Sequence, residues 1–199
     1  VKVTIEGDTI VVKDNGLGMN IEDANGKFLT VGYDKRVKEK DLAGKVLTPK
    51  FGRLPMGRKG IGKLSTFAIA NQVKVESVKT CLEKDAEGKI TKESVCGKSA
   101  FLMDVEVIER KAKTKEIYNP EELNTDEIDF TIGTKITLTN LKRKRGINPE
   151  FVRRNLARRF AVFGKDFKVS INDNEVTIND RKYWDNLQFV WGLGANAEF

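Results

Sequence analysis

The sequence contains no histidine and only two cysteines among its 199 residues. Without histidine, Ser-His-Asp hydrolases, Cys-His proteases and histidine-ligated zinc sites are all excluded. Two lone cysteines also make a poor metal site. The sequence has no apolar run long enough to span a membrane and no visible signal peptide or transit sequence. We therefore expect a cytoplasmic protein with no membrane partner.

The two cysteines, Cys81 and Cys96, flank the turn sequence KDAEGK and could face each other across a β-hairpin. This geometry allows a disulfide. Disulfides persist mainly in oxidising compartments, however, and nothing in the sequence indicates secretion. The sequence therefore favours free thiols.

Charge and length leave several functions open. The length suits one domain with a full core, or one domain with a small appendage. The net charge of +7 permits a polyanionic partner such as nucleic acid, and it equally suits a site for nucleotide phosphates. Charge alone therefore does not choose between these functions.

The order of predicted elements is hairpin, helix, long loop, helix and then antiparallel strands. Alternating apolar residues in VKVTIEGDTIVVKD predict a hairpin, and Asn20 and Asn148 are predicted helix caps. This order predicts an α+β fold, a two-layer sandwich with helices on one sheet face. The other predicted elements are helices at 21–29, 61–71 and 149–164, strands at 73–78, 101–108 and 135–141, a polar surface loop at 111–129 and a final hairpin at Asp173-Asn174.

The segment DNGLGM places Asp14 at the end of a predicted strand, directly before two glycines. A carboxylate there can accept a hydrogen bond from an exocyclic amine such as that of adenine, and the glycines let the backbone approach a flat ring. The same three residues, Asp-Asn-Gly, are also common in plain turns. The segment by itself leaves both readings open.

The segment GRKGIGKLS resembles a phosphate-binding loop but matches neither common pattern. A P-loop requires a hydroxyl where Leu64 stands, and a Rossmann loop requires glycine where Ser65 stands. Gly57, Gly60 and Gly62 still expose backbone amides before a predicted helix, which favours an anion site. The alternative is a flexible, solvated basic loop. The stretch from 32 to 57 is typical of a functional lid or a linker.

Three spaced segments, DNGLGM, GRKGIG and GTKITLTNL, together resemble the GHKL ATPases: DNA gyrase, ninety-kilodalton heat-shock chaperones, histidine kinases and MutL. The resemblance covers residues 1–141 and is closest to the chaperone, MutL and MORC-like branch. It implies a Bergerat-type sandwich with a mixed, mostly antiparallel sheet and a long ATP lid. It also implies an ATP-binding domain over 1–145, with 146–199 as a helix-and-hairpin extension packed on it.

The resemblance further implies that Asp14 binds the adenine amine and that Thr134 holds a water shared with it. Backbone amides of the second glycine segment would cradle the phosphates, and nucleotide binding would close the lid. ATP or ADP with Mg²⁺ is the implied ligand, and a nucleotide-dependent homodimer is an implied assembly. The implied ATP-binding residues are Asp14, Gly16, Gly18, Met19, Lys35, Gly57, Arg58, Lys59, Gly60, Ile61, Gly62, Lys63 and Thr134.

The family places its magnesium-ligating Asn and general-base Glu on a helix before the strand that ends in Asp14. The sequence begins with the hairpin containing that strand, so we expect both residues upstream and no catalytic or metal residue within the chain. Full-length protein is then expected to hydrolyse ATP, whereas this chain alone is not. Two alternatives are a non-hydrolysing nucleotide sensor and a nucleic-acid-binding protein whose glycine loops grip phosphates.

Arginines at 153, 154 and 158 lie on one predicted helix after the basic stretch KRKR. Such a pattern can bind nucleic acid through Arg153, Arg154 and Arg158. It is also typical of a solvated helix face whose arginine stems cover apolar surface. The sequence favours the solvated face.

Overall fold

A single eight-stranded sheet, in the order β5-β4-β3-β6-β2-β1-β7-β8, organises the computed structural model. The model describes residues 1–34, 47–50, 52, 57, 60–143, 145–160, 167–181 and 188–189. Neighbouring strands are antiparallel except for β1 and β7. The strands are β1 Lys2–Glu6, β2 Thr9–Lys13, β3 Ala70–Lys84, β4 Ile90–Asp104, β5 Glu121–Glu122, β6 Gly133–Leu141, β7 Ser170–Ile171 and β8 Asn174–Glu175.

Within the described residues, four α-helical segments accompany the sheet. They are α1 Ile21–Asp23, which continues as a π-helical turn over Ala24–Phe28, α2 Leu64–Ile69, α3 Val105–Thr114 and α4 Pro149–Arg159. Short 3-10 helices cover Thr125–Glu127 and Ile178–Arg181. Both predicted caps are confirmed, because the Asn20 side chain accepts from Asp23 N and that of Asn148 accepts from Glu150 N and Phe151 N. Among the described residues, none of these helices is long and apolar enough to cross a membrane.

Two predicted boundaries are wrong. Helix α2 begins at Leu64 rather than Ile61, and β3 follows it immediately at Ala70. The strand predicted over 101–108 ends at Asp104, whose carboxylate accepts from Val107 N and caps α3. Periodicity could not separate strand from helix in this short apolar run. The end of α3 consequently occupies the start of the predicted surface loop.

The apolar side chains of adjacent strands line up on one face of the sheet. Register pairs Ile5 with Ile10, Ile10 with Leu138, Leu138 with Val73 and Val73 with Met103. Side chains in such pairs share a face, because successive residues of a strand alternate between faces. The helices pack on this face, so the predicted α+β sandwich is confirmed. Its central cluster contains the buried residues Ala24, Ala70, Val73, Val75, Phe101, Met103 and Leu138.

The segment after residue 145 contributes to the same sheet and the same covered face. Ser170 and Ile171 of β7 pair with Lys2 and Val3 of β1. The Asn172 side chain bonds both the amide and the carbonyl of Ile5, at 2.7 and 3.0 Å. Helix α4 packs over this edge in a cluster whose buried members are Ile5, Ala157, Val169, Ile171 and Val176.

Strands β3 and β4 extend beyond their neighbours as a two-stranded arm, residues 79–84 with 90–97. The pairing of β3 with β6 ends at Val78, and the register with β4 shifts between Lys79 and Thr80. The shift leaves Cys96 as the extra residue of a bulge. There it forms a disulfide with Cys81, with the two Cα atoms 5.8 Å apart. The predicted hairpin is confirmed, and the expectation of free thiols is wrong because the bulge brings these side chains together.

We expect the disulfide to stabilise the arm more than the rest of the sheet. A two-stranded ribbon outside the sheet is marginal in water. Cross-linking a loop of about 15 residues is worth about 3 kcal/mol in the chain-entropy model, and less is expected where strands are already paired. Cys96→Ser should therefore speed amide hydrogen exchange in 80–84 and 91–96.

Exchange in β6 serves as the internal control for this experiment and should stay unchanged. Cys81→Ser should reproduce the effect, because either substitution removes the same bond. Two titratable thiols in the unreduced wild-type protein, or equal exchange in all variants, would contradict the assignment.

Candidate functional site

A row of polar side chains crosses the helix-covered face at one end of the sheet. Asp14 directly follows β2, and Thr134, Ser77 and Ser99 belong to β6, β3 and β4. Register pairs Ser77 with both Thr134 and Ser99, and Asp14 N donates to Thr134 O at 2.9 Å. Both serines are fully buried. The row brings the predicted residues Asp14 and Thr134 together as neighbours on adjacent strands.

The loop from Asp14 to Met19 is held by hydrogen bonds to this row and to β3. Met19 N donates to Ser77 Oγ at 2.8 Å, and Ser99 Oγ donates to Met19 O at 3.1 Å. Thr80 N donates to Leu17 O at 2.8 Å. Asp14 Oδ1 accepts from Gly16 N at 2.8 Å, which closes the start of the loop. The loop backbone therefore has a fixed path across the strand ends.

Two glycines allow the loop and the neighbouring strand ends to approach each other closely. Gly18 and Gly133 both have positive φ, +65° and +91°. A Cβ on Gly18 would overlap the carbonyl of Val78, and one on Gly133 would overlap the carbonyl of Asp14. Gly18 therefore allows the loop to pack closely on β3. Sequence reasoning did not assign this role to it.

A cavity of about 1250 Å³ opens beside the loop, at the ends of β1, β2 and β7. Asp14, Gly16 and Gly18 line one side, and Thr48–Lys50, described residues within the predicted lid, line another. Lys50 also pairs with Glu93 of the β3–β4 arm at 2.6 Å. Met19 and Thr134 do not line this cavity, since Met19 packs against the central core and the Thr134 hydroxyl bonds Ser77.

The second glycine motif docks on the segment that follows the π-helical turn. Lys63 Nζ donates to the carbonyls of Phe28 and Thr30 and lies 5.7 Å from the centre of the Phe28 ring. Burial lowers the pKa of Lys63. The Gly60 backbone lies directly against that of Tyr33. Lys63 thus fastens the motif to the protein, whereas Lys35, Arg58 and Lys59 lie outside the described residues.

In GRKGIGKLS the hydroxyl of Ser65 lies one residue after the position where a P-loop has its hydroxyl, and it bonds a nearby carbonyl. Ser65 Oγ donates to Gly62 O at 2.6 Å, and Ser65 N donates to the same oxygen at 3.1 Å. Ile61 is half exposed, in the turn before α2. Ser65 therefore closes the turn into α2.

Helix α1 is anchored to β3 through Asp23. The Asp23 carboxylate pairs with Lys79 of the arm at 2.6 Å and with Lys27 at 3.0 Å. Burial raises the pKa of Asp23, but the bonds from Lys79 and Lys27 outweigh it and hold the pKa below its usual value. This anchor fixes the segment that connects the first glycine motif to the docking site of the second.

A family model described as "Histidine kinase-, DNA gyrase B-, and HSP90-like ATPase" matches residues 1–134. The chain belongs to this ATPase family. The resemblance to GHKL ATPases is thus confirmed, and the sheet with helices on one face is the sandwich expected of them. The matched range contains both glycine motifs and ends at Thr134.

The chain is 36% identical over 200 residues to the protein "Putative type II restriction enzyme HgiDII" from Herpetosiphon aurantiacus. The match covers 99% of this chain but 29% of that relative. The chain therefore spans less than a third of the length of that relative.

Sequence reasoning missed the residues that hold the first loop of the ATPase domain, namely Ser77, Ser99 and Thr80. A signal existed for the two serines. Ser77 follows Val73 and Val75 at positions of the same face, where alternation predicts another apolar side chain. A buried hydroxyl at such a position requires a partner, and here the partner is the loop backbone.

Two of the three helix arginines bond within the domain. Arg153 Nε lies 3.0 Å from Asp180 Oδ1, and Arg158 Nε donates to Arg181 O at 3.5 Å. Arg181 in turn donates to Ala157 O at 2.8 Å. The ion pair of Arg153 and the hydrogen bonds of Arg158 and Arg181 join α4 to the 3-10 helix Ile178–Arg181.

Gly18→Ala is expected to destabilise the domain and displace the first loop. Positive φ costs a residue with a Cβ about 1–2 kcal/mol, and the overlap with Val78 adds to this cost. The urea midpoint should fall by more than in Gly26→Ala, a matched change at a glycine with open space around its Cβ position. Equal midpoints for the two variants would contradict the packing role of Gly18.

Proposed function

We propose that the chain is the ATP-binding domain of a longer ATPase, in which nucleotide binding and hydrolysis drive lid closure. One observation carries this proposal. Asp14 directly follows β2 and Thr134 lies at the start of β6, so the two residues are neighbours on adjacent strands. The glycine loop beside them is held in place by two buried serines. Side chains opposite each other on such strands have Cβ atoms about 4.5–5.5 Å apart, close enough to share one water.

In this proposal adenine lies at the first loop. Asp14 Oδ1 bonds Gly16 N, which orients the carboxylate to accept from the exocyclic amine. Gly16 and Gly18, which line the cavity, form the wall against which the base packs, whereas Met19, also predicted to line it, packs against the central core. A carboxylate accepts hydrogen bonds only, so it favours a base with an amine at this position.

The triphosphate lies at the second motif in this proposal. Backbone amides from Gly57 to Gly62 cradle the phosphates, with Gly60, Ile61 and Gly62 immediately before α2. We assign Lys63 a positioning role, because its ammonium group is bonded to Phe28 O and Thr30 O and so holds the motif in place. The proposed roles of Lys35, Arg58 and Lys59 as phosphate ligands fall on residues outside those described.

In this proposal, no described residue is assigned to magnesium or to the general base. Among the described residues, no group of three or more acidic or cysteine side chains could hold a metal ion. Glu6 is at the β1–β2 turn, about 17 Å along the hairpin from Asp14 at the rise of a β-strand. We propose that residues 1–145 form the nucleotide-binding unit and 146–199 an extension of its sheet.

Asp14→Asn is expected to weaken ATP binding tenfold to a hundredfold. The asparagine oxygen can still accept from Gly16 N, so the loop keeps its shape, while the charged acceptor for the amine is lost. A hydrogen bond to a charged group is worth about 1.5–3 kcal/mol, which corresponds to this range of affinity. Isothermal titration calorimetry on the full-length protein measures the change.

Asp129→Asn is the matched control, because Asp129 lines the same cavity but pairs with Lys135. ATP affinity should change little in this variant. Wild-type affinity in Asp14→Asn would overturn the adenine assignment. Affinity without turnover in the full-length protein would instead favour the non-hydrolysing nucleotide sensor.

A second candidate, supported by the name of the restriction-enzyme relative and the net charge of +7, is an action of the longer protein on DNA. Arg158 and Arg154 are the arginines of α4 to test first, since Arg153 is ion-paired with Asp180. If both contact phosphates, the double Gln variant should reduce the slope of log affinity against log salt by about 2.

Arg153→Gln is the comparison for this experiment. It should lower the melting temperature, because it leaves Asp180 without its ion pair, and it should leave the salt slope unchanged. Identical salt slopes in wild type and the double variant, or no DNA binding at low salt, would leave the arginine face as a solvated surface.

A further inference from the structure

The disulfide between Cys81 and Cys96 lies where the β3–β4 arm leaves the sheet. Both cysteines are exposed, so a thiol in solution can approach the bond while the protein is folded. Exposed disulfides are more readily reduced than structural ones and are often regulatory. This bond can therefore be opened without unfolding the domain.

The base of the arm, at the bulge, holds the start of α1. Gly97 directly follows Cys96, and a Cβ on Gly97 would lie only 2.7 Å from the Cβ of Asn20, the cap of α1. Lys79 pairs with Gly97 in the register, and its ammonium group lies 2.6 Å from the Asp23 carboxylate. The bulge therefore places α1 against both strands of the arm.

Two further contacts join the arm to the proposed nucleotide site. Thr80, next to Cys81 in β3, donates from its backbone N to Leu17 O of the first glycine loop at 2.8 Å. Glu93, farther out along β4, pairs with Lys50 of the predicted lid at 2.6 Å. The disulfide thus lies between the contacts to the loop and α1 on one side and the contact to the predicted lid on the other.

The order of the arm depends on the disulfide. The pairing of β3 with β6 ends at Val78, so beyond that residue the described ladder of β3 is with β4. A two-stranded ribbon of this kind is marginal in water. The disulfide closes a loop with a sequence separation of 15 and so removes many open arrangements of the chain. Reduction restores those arrangements and allows the arm to open from its tip to its base.

We propose, on the basis of the function proposed above, that Cys81 and Cys96 form a thiol–disulfide exchange site that controls nucleotide binding. The oxidised protein holds the first glycine loop and α1 in place and binds nucleotide well. In the reduced protein the arm opens, the loop and α1 lose the support of Thr80, Lys79 and Gly97, and nucleotide binding weakens.

The reactant at this site is a dithiol. One of its thiolates attacks a sulfur of the Cys81–Cys96 bond, which breaks, and a mixed disulfide forms while the other cysteine leaves as a thiolate and takes a proton. The second thiolate of the reactant then displaces the bound cysteine and closes the reactant's own disulfide. Two electrons and two protons have passed from the dithiol to the two cysteines.

Reduction is expected to lower ATP affinity about threefold to tenfold. The Met19 backbone keeps its bonds to Ser77 and Ser99, so the loop is loosened rather than lost. Apparent affinity falls with the fraction of molecules that are competent to bind, and an unstapled ribbon ordered about a tenth to a third of the time gives this range. Amide hydrogen exchange in residues 17–28 should rise as well. Exchange in residues 2–13 should stay unchanged, because that hairpin pairs with β6 and β7.

The experiment compares full-length wild type before and after reduction by dithiothreitol with the double variant Cys81→Ser, Cys96→Ser. Calorimetry gives the ATP affinity, and mass spectrometry gives the exchange of residues 17–28. The double variant should match reduced wild type with and without dithiothreitol, which excludes an effect of other thiols. Lys92→Gln is the matched control, because it removes an ion pair with Glu83 within the arm but keeps the disulfide. It should behave as wild type in both redox states.

Weaker ATP binding together with faster exchange in 17–28, in both reduced wild type and the double variant, supports the inference. Exchange in 17–28 that does not rise on reduction, or affinity that does not fall, overturns it and leaves the ATP site standing. Reduced wild type carries the test alone if the double variant does not fold. Failure of both redox forms to bind ATP overturns the proposed function, while the exchange comparison still decides whether the disulfide orders the loop.

Discussion

The backbone of Met19, held between the hydroxyls of Ser77 and Ser99, is the constraint on which the candidate site depends. These two bonds dock the first glycine loop onto the ends of β3 and β4. Leaving buried groups unpaired costs about 1–3 kcal/mol each, so the loop and the serines stabilise one another. Asp14 and Thr134 stand beside each other because β2 and β6 are paired here, and the docked loop closes the site around them.

Close packing and hydrogen bonding act together in this region. Gly18 and Gly133 let the loop and the adjacent strand ends approach more closely than any Cβ would allow. The same contact brings the loop within reach of Ser77. Hydrogen bonds that hold the loop in place before a ligand binds reduce the ordering cost of binding. This loop forms the base side of the proposed site.

The second glycine motif is positioned through a separate chain of contacts. Asp23 ties α1 to the β3–β4 arm through Lys79, and Lys63 bonds the carbonyls of Phe28 and Thr30, at the end of the π-helical turn and just after it. The predicted lid also touches the arm, through Lys50 and Glu93. The arm, closed by the disulfide, therefore supports both α1 and a described part of the predicted lid. This arrangement links both glycine motifs to one hairpin.

The sequence alone determined the fold class, the hairpins and the two asparagine caps, because these follow from alternation and from local side-chain bonds. It also predicted the ATPase family, since glycine motifs of this kind are local patterns. Tertiary structure decided where β4 gives way to α3, because a short apolar run fits either element. It also decided that Cys81 meets Cys96 and that Lys63 holds carbonyls. Above all it decided the partners of Ser77, since a buried hydroxyl acquires its role only when distant strands and a loop meet around it.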